Sequence, residues 1–278
     1  MNTSDFEFLR LLLKQKSGLI ITPDKAYLLE SRLIPISRKW KHADIGALVI
    51  AMRGLADPKL IREVVESMNS HETWFFRDLK LFRHFENHML PYLMKARAGQ
   101  KKIRIWCAAS SSGQEAYSLA MMLREKGILA QGWKVEIIAT DIDTEVLARA
   151  QKAEYSQFEV QRGLPVTHLI KYFNQMGPRW QLKDDIRKMV TLQPMNLLDP
   201  YTALGQFDVV LCRNVLGCFD AQTRKDVLDR IARQTAKDGF LLLGANETAL
   251  GITESVLPVP QDASICALPG SVHLQAAA

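Results

Sequence analysis

The stretch Ile103–Asp141 constrains the fold of this chain more than any other. Ile103-Arg104-Ile105-Trp106-Cys107 is a mostly apolar run of strand length. The next six residues, Ala108-Ala109-Ser110-Ser111-Ser112-Gly113, are all small, so a backbone there can come close to a ligand. Gln114 and Glu115 then open a segment whose Leu119, Met122 and Leu123 recur at helical spacing. Val135–Ala139 reads as a second strand and ends at Thr140-Asp141. Strand, small-residue turn, helix, strand and terminal acid make the first half of a nucleotide-binding sheet.

The turn lacks G-x-G-x-x-G, whose glycines let a dinucleotide site seat a pyrophosphate at the helix N-terminus. Glu115 points the same way. A carboxylate in the first helical turn suits the helix dipole, yet it repels an arriving phosphate and favours a cation or an amine. Asp141, at the tip of the second strand, is placed to accept hydrogen bonds from ribose hydroxyls. A ligand with a ribose and a positive end but no phosphate is S-adenosylmethionine. The competing interpretation of the same residues is an ordinary α/β sheet with a capping Glu and a loop Asp.

A chain of 278 residues can hold one large domain or two modest ones. Its 47% hydrophobic and 24% charged residues are those of a globular protein. No apolar run reaches membrane-spanning length, and Met1–Arg10 carries Asp5 and Glu7, unlike a signal peptide, so a cytoplasmic protein without membrane insertion is expected. Cys107, Cys212, Cys218 and Cys266 form no C-x-x-C pair and no cluster with histidine, so no metal is expected. The net charge of +6 favours an acidic partner but does not choose between nucleic acid and an acidic protein surface.

Along the chain, Ser4–Ser17 reads as an amphipathic helix stopped by Gly18. A second helix runs from Pro23-Asp24 towards Trp40, with Pro35 implying a kink or a break. Arg32, Arg38, Lys39, Lys41 and His42 make this the most basic short region, either a solvated face or a docking face for an acidic partner. Short helices near Ile45–Met52 and Pro58–Met68 complete an all-helical N-terminal unit. Thr73-Trp74-Phe75-Phe76-Arg77-Asp78 sets three successive aromatics between a hydroxyl and an arginine. It is either a hydrophobic hinge or a loop folded over a cofactor, with Arg77 presented to an anionic group.

A helix over Leu79–Ala98 is bent or restarted near Pro91, and Asp143 caps a helix over Thr144–Lys152. Gly163, Pro165 and Gly177-Pro178 punctuate a segment that suggests a small antiparallel insertion. Met189–Leu192 and Phe207–Cys212 read as strands, the latter ending in Arg213-Asn214 where open α/β sheets bind ligands. Asp220 caps a helix over Ala221–Thr235, Gly239 ends the turn and Phe240–Leu243 is a further strand. About ten residues at the C-terminus are expected to be disordered.

These blocks, taken together and in order, resemble the CheR family of chemotaxis-receptor glutamate methyltransferases. The match includes Pro23-Asp24-Lys25, Leu28–Leu33, Thr73–Asp78, Ser112–Ser118, Ala139–Asp143, Asn196-Leu197-Leu198 and Cys212–Leu216. The resemblance implies an N-terminal all-α domain over 1–76 that docks receptors. It further implies a Rossmann-like S-adenosylmethionine-binding α/β domain over 77–278 and a small antiparallel β-subdomain inserted at about 161–188. It implies cofactor contacts at His71, Thr73, Arg77, Glu115, Asp141, Asn196, Leu197, Arg213 and Asn214, with Arg77 and position 218 near the chemistry. S-adenosylhomocysteine would be the product, and the partners would be the cytoplasmic methylation helices of bacterial chemoreceptors, met by a monomer.

The chain departs from the family pattern at several positions. His71 stands where the family has Asn, Gln114 where it has Glu, Ala116 where it has Pro, and Cys218 where it has a tyrosine that faces the cofactor.

Glutamate methylation needs little acid–base help, because a carboxylate with a pKa of about 4.3 is already ionised at neutral pH. Desolvation and in-line alignment should dominate. The basic residues Arg32, Arg38, Lys39 and Lys41 would then steer glutamate-bearing helices. Two other functions fit the chain less well. One is a catalytically weakened cofactor-binding regulator, suggested by His71 and Cys218. The other is a nucleic-acid methyltransferase, for which no Asn-Pro-Pro-Tyr-type motif is visible.

Overall fold

The computed structural model describes residues 1–54 and 57–275. The chain divides into two compact units, Met1–Ser70 with Gly217–Thr223, and His71–Leu216 with Arg224–Ala278. The first unit holds four helices, α1 (Thr3–Ser17), α2 (Ala26–Lys39), α3 (Ile45–Arg53) and α4 (Pro58–Ser67). Their apolar stripes meet in a core of Leu9, Leu13, Leu29, Leu33, Leu48, Val49 and Val64, all fully buried. Local chemistry sets the ends. Asn2, Asp44 and Asp57 side chains cap α1, α3 and α4, and Gly18 closes α1 at φ 77°.

Of the kink or break expected at Pro35, the break does not occur, and helix α2 runs on through it. Pro35 lies on the exposed face, and the carbonyl it leaves without a helical partner, that of Ser31, is exposed too, so water can satisfy it.

The second unit opens with a helical run. α5 (Leu79–His84) passes through a π turn (Phe85–Met89) into α6 (Leu90–Ala96). The expected irregularity near Pro91 takes this form. Pro91 has no N–H, and the wider turn just before it absorbs the mismatch, with the Leu90 N–H reaching back five residues to the Phe85 carbonyl.

The main sheet follows, in chain order β1 (Lys102–Ala108), α7 (Gln114–Glu125), β2 (Lys134–Asp141) and α8 (Thr144–Lys152). Next come β3 (Glu154–Ser156), α9 (Gln157–Gln161), α10 (Val166–Tyr172), β4 (Phe173–Met176), β5 (Arg179–Leu182) and α11 (Asp184–Arg187). The unit ends with β6 (Val190–Pro194), β7 (Phe207–Cys212), β8 (Thr235–Leu243), β9 (Leu257–Val259) and β10 (Asp262–Ala267). Helix α12 (Ala221–Gln234) connects β7 to β8.

Seven strands form a sheet in the order β6-β2-β1-β7-β8-β10-β9. β6, β2, β1, β7 and β8 run parallel, and β10 is antiparallel to both neighbours. The parallel strands are buried on both faces, which explains continuous apolar runs such as β7, buried at all six positions. Trp106 is fully buried in β1, with its indole N–H donating to Thr140 Oγ1 at 3.0 Å. Burying each such large side chain contributes roughly 1.5–3 kcal/mol.

Strand β8 begins at Thr235, before Gly239, so the expected strand Phe240–Leu243 is only its second half. Its polar start is held by Arg97, which pairs with Asp238 and Asp208.

The small antiparallel sheet has the order β3-β5-β4, with Gly177 at φ 61° in the β4–β5 turn. One of its two edge strands is Glu154–Ser156, upstream of the Gly and Pro punctuation. The tail is ordered to residue 275, against the expectation of disorder. Val272–Leu274 forms a 3₁₀ turn whose His273 ring stacks on Phe240 at 4.1 Å. The last three residues of the expected disordered stretch lie outside the described residues.

Candidate cofactor site

The register brings one set of strand ends into line. Ala108 of β1 is opposite Thr140 of β2 and Cys212 of β7, and Asp141 is opposite Pro194 of β6. From β1 the chain steps to β2 on one side, while β7 lies on the other, so a crevice opens outside the carboxyl ends of β1 and β7. The loops that line it carry most of the expected residues.

The turn after β1 alternates into left-handed backbone at Ala109 (φ 55°), Ser111 (φ 52°) and Gly113 (φ 88°). Only glycine fits the third place, because a Cβ on Gly113 would lie 2.9 Å from the Tyr117 ring and 3.1 Å from Ala150 Cβ. The winding aims the Ser111 N–H at Asp141 Oδ2, at 2.8 Å, while the Asp143 N–H takes Oδ1 at 3.0 Å. Burial pushes the Asp141 carboxyl up, and these two N–H groups work against that shift. Each oxygen keeps acceptor capacity for a ligand hydroxyl.

Arg213, at the end of β7, is nearly inaccessible, with its side chain 1% exposed. Its guanidinium pairs with Glu115 in the first turn of α7 and with Asp78, and it donates to the Arg77 carbonyl at 3.1 Å. Burial alone would lower the pKa of Arg213, but Glu115 and Asp78 more than offset this and raise it. Glu115 was expected to stand open for a cation. In the structure Arg213 already neutralises one of its oxygens, and among the described residues the other accepts no hydrogen bond.

The aromatic loop is anchored at several points. The Phe76 N–H donates to Ser118 Oγ of α7 at 2.9 Å, and Phe76 and Asp78 both have positive φ. Arg77, expected to be presented to an anionic group, is held within its own loop. Its Nη1 donates to the Glu72 carbonyl at 2.6 Å, and its guanidinium lies 4.3 Å from the centre of the Trp74 ring. Arg162 lies 3.8 Å from the same ring and pairs with Glu72, while Gly163 meets the Phe75 carbonyl too closely for any side chain. His71 Nε2 is 2.8 Å from Asp143 Oδ2, and the His71 carbonyl accepts from Ser111 Oγ. Asp143 also caps α8. Although burial opposes ionisation, the His71 contact and two backbone N–H groups hold the Asp143 carboxyl below its ordinary value. Thr73 sits half-buried in this loop.

Beyond β6, Asn196 Oδ1 accepts from the Leu198 N–H at 3.0 Å and Leu197 is buried, with its carbonyl held by the Tyr201 hydroxyl. Asn214 follows Arg213 at φ 60°. Sequence reasoning missed Glu247, whose carboxylate accepts three N–H bonds around Asn214. The only hint of it was an acid a few residues beyond a strand end.

The remaining expected residues belong to the helical unit. Cys218 lies in the segment that clusters with it, and its carbonyl accepts from the Ile20 N–H at 2.9 Å. Arg32 is committed to the end of α4, donating to the Ser67 and Asn69 carbonyls at 3.2 and 3.0 Å. Lys39 pairs with Glu63 at 2.7 Å, while Arg38 and Lys41 are exposed.

The residues fit S-adenosylmethionine. Arg213 Nε and Ser110 Oγ are buried without a hydrogen-bond partner among the described residues. With the second oxygen of Glu115 and the carboxylate of Asp141, they offer donors and acceptors for a ligand bearing an ammonium, a carboxylate and ribose hydroxyls. No three His, Cys, Asp or Glu among the described residues are grouped to hold a metal ion. No helix among the described residues is long and apolar enough to cross a membrane.

A family model described as CheR methyltransferase, SAM binding domain, matches residues 71–264. Chemotaxis protein methyltransferase Cher2 of Pseudomonas putida is 38% identical over 256 residues, covering 90% of this chain and 92% of that protein. Chemotaxis protein methyltransferase 1 of Pseudomonas aeruginosa is 41% identical over 251 residues, covering 88% and 90%. The chemotaxis protein methyltransferase of Vibrio parahaemolyticus is 35% identical over 248 residues, covering 87% and 88%.

Proposed function

The chain belongs to the CheR methyltransferase family, and from that premise we propose that it methylates glutamate side chains of chemoreceptors, giving glutamate methyl esters. The observation that carries this reading is the pair of carboxylates beside the turn that follows β1. Asp141 lies at the tip of β2 and Glu115 opens α7, on either side of a turn shaped by three left-handed residues.

Asp141 would accept from ribose hydroxyls with the acceptor capacity its two N–H bonds leave. The second oxygen of Glu115 would take the ammonium, while the first stays paired with Arg213. Asn196 and Leu197 would flank the base, and Thr73 and Asn214 would line the remaining edge. S-adenosylmethionine, when bound, supplies a methyl group on a sulfonium leaving group. Arg77 would exchange the Glu72 carbonyl and the Trp74 ring for a carboxylate, of the ligand or of the incoming glutamate, and so orient it. An ionised glutamate needs alignment and loss of water rather than a base.

On the helical unit, Arg38 and Lys41, with Lys39 beside them, would attract the acidic receptor helix in a salt-dependent way. Cys218, where the family resemblance implies a tyrosine, would leave that hydroxyl's work undone.

The test is transfer of labelled methyl from S-adenosylmethionine to membranes bearing chemoreceptors, followed by mild alkali. Label released as methanol establishes a carboxyl methyl ester. Cofactor binding by calorimetry without any transfer to receptors overturns the substrate assignment and favours a cofactor-binding regulator.

A further inference from the structure

Glu247 sits just beyond β8, in a turn closed by its own N–H donating to the Gly244 carbonyl at 2.9 Å. Its carboxylate collects three backbone N–H groups. Oε2 accepts from Asn214 at 2.7 Å and from Gly244 at 2.8 Å, and Oε1 accepts from Leu216 at 2.8 Å. Two of the three belong to the loop that follows β7. Asn214 lies in left-handed backbone at φ 60°, a turn that asparagine tolerates but does not enforce, and the two N–H bonds to Glu247 tie the loop down on both sides of it.

Gly244 fits the same device. A Cβ there would lie 2.7 Å from Glu247 Oε2, 2.8 Å from Asn214 Nδ2 and 3.0 Å from Asn214 N, so a side chain would push the carboxylate off its donors. The residue before Asn214 is Arg213, whose guanidinium has to reach Glu115 and Asp78 together.

We propose that Glu247 is a positioning residue for the cofactor site, acting through the Arg213–Leu216 loop. It makes no contact with ligand of its own. It sets the left-handed turn at Asn214 and thereby the direction in which Arg213 enters the crevice. The inference rests on the reading of that crevice as the S-adenosylmethionine site. Glutamine is the informative replacement. It keeps the shape, but its NH₂ must face either the Leu216 N–H or the Asn214 and Gly244 pair, turning acceptance into repulsion.

The experiment measures S-adenosylhomocysteine affinity by calorimetry and amide hydrogen exchange of the ligand-free protein. The proteins are the parent chain, Glu247→Gln, Arg213→Lys and the double variant. Loss of charge-assisted bonds should raise the Kd of Glu247→Gln by about 10- to 100-fold. In the Arg213→Lys background the same change should raise it less than about threefold, because the group being aimed is already gone. Exchange at 213–216 should speed in Glu247→Gln without ligand, while β1 and β2 stay protected. A structural contact with no role in aiming Arg213 would give the same factor in both backgrounds, and that result overturns the proposal. An unchanged Kd in Glu247→Gln overturns it too. If the parent chain binds S-adenosylhomocysteine but methylates no receptor, the substrate reading falls and the Glu247–Arg213 coupling is still decided by the binding data.

Discussion

Arg213→Met isolates the energetics of the crevice. The substitution keeps an unbranched apolar stem and removes the charge, leaving Glu115, 12% exposed, without its cation. Removing one partner of a buried pair costs about 3–5 kcal/mol, because the remaining charge stays desolvated. Two features place this case at the low end. Asp78 is a third exposed and rehydrates, and Glu115 in the first turn of α7 retains the favourable helix dipole. An expectation of about 3 kcal/mol follows. For a chain of this size that lowers Tm by about 6–12 °C. Calorimetric melting and urea unfolding at neutral pH measure it, and the double variant Arg213→Met with Glu115→Gln should recover at least about 1 kcal/mol. A single variant melting within about 2 °C of the parent, or a double variant no more stable than the single, would refute the assignment of a charge-dependent pair.

Arg77→Ala should abolish methyl transfer while lowering stability by less than about 1 kcal/mol, since only a carbonyl bond and a ring contact are lost. Cys218→Tyr should leave transfer equal or raise it, read from initial rates of labelled methyl incorporation, and a fall would contradict the idea that a tyrosine hydroxyl is missing at this position. Gly113→Ala should destabilise by about 2–3 kcal/mol, because φ 88° and the Tyr117 ring both oppose a Cβ, whereas Gly99→Ala, with open space around it, should shift Tm little.

Asp262 gives the pH test. Burial opposes its ionisation, but Lys80 and the Ser264 hydroxyl and N–H hold its carboxyl down at about 2. A folded-state pKa below the unfolded one adds stability that is complete above about pH 4 and lost as pH falls through about 2. With Lys80 exposed, the contribution is about 1 kcal/mol, so Asp262→Asn should narrow the difference from the parent between pH 5 and pH 2 in urea midpoints. Parallel curves for the two proteins would contradict it.

What the sequence discloses here follows from the range of the interactions. Strand β7 and helix α8 with its Asp143 cap were legible to the residue, because apolar runs and caps are written in consecutive positions. The start of β8 was not, since Lys237 and Asp238 look unlike a strand until Arg97, 141 positions away, pairs with Asp238. The two acids beside the turn after β1 could be picked out by position, but not that Arg213, 98 residues beyond Glu115, occupies it. Glu247 left almost no trace, because its partners are backbone amides, which every residue but proline carries. The side-chain direction of Arg77 depends on Trp74 and Glu72 together, and a motif specifies residue types without specifying rotamers.

The π turn at Phe85–Met89 bears on how tolerant the family is to changes in length. A π turn accommodates one residue more than the regular helix around it. Deleting that one residue would restore uniform α winding while Leu90 and Leu93 downstream and the residues upstream keep their facing, because the π turn closes one full turn with the extra residue inside it. Leu81 and Phe82 would stay turned to the core, and the segment bearing Arg77 and Asp78 would keep its aim at Arg213. The aim of the aromatic loop is thus insulated from a one-residue change of length at 85–89, and a relative with a single-residue gap there can build the same crevice on a regular helix.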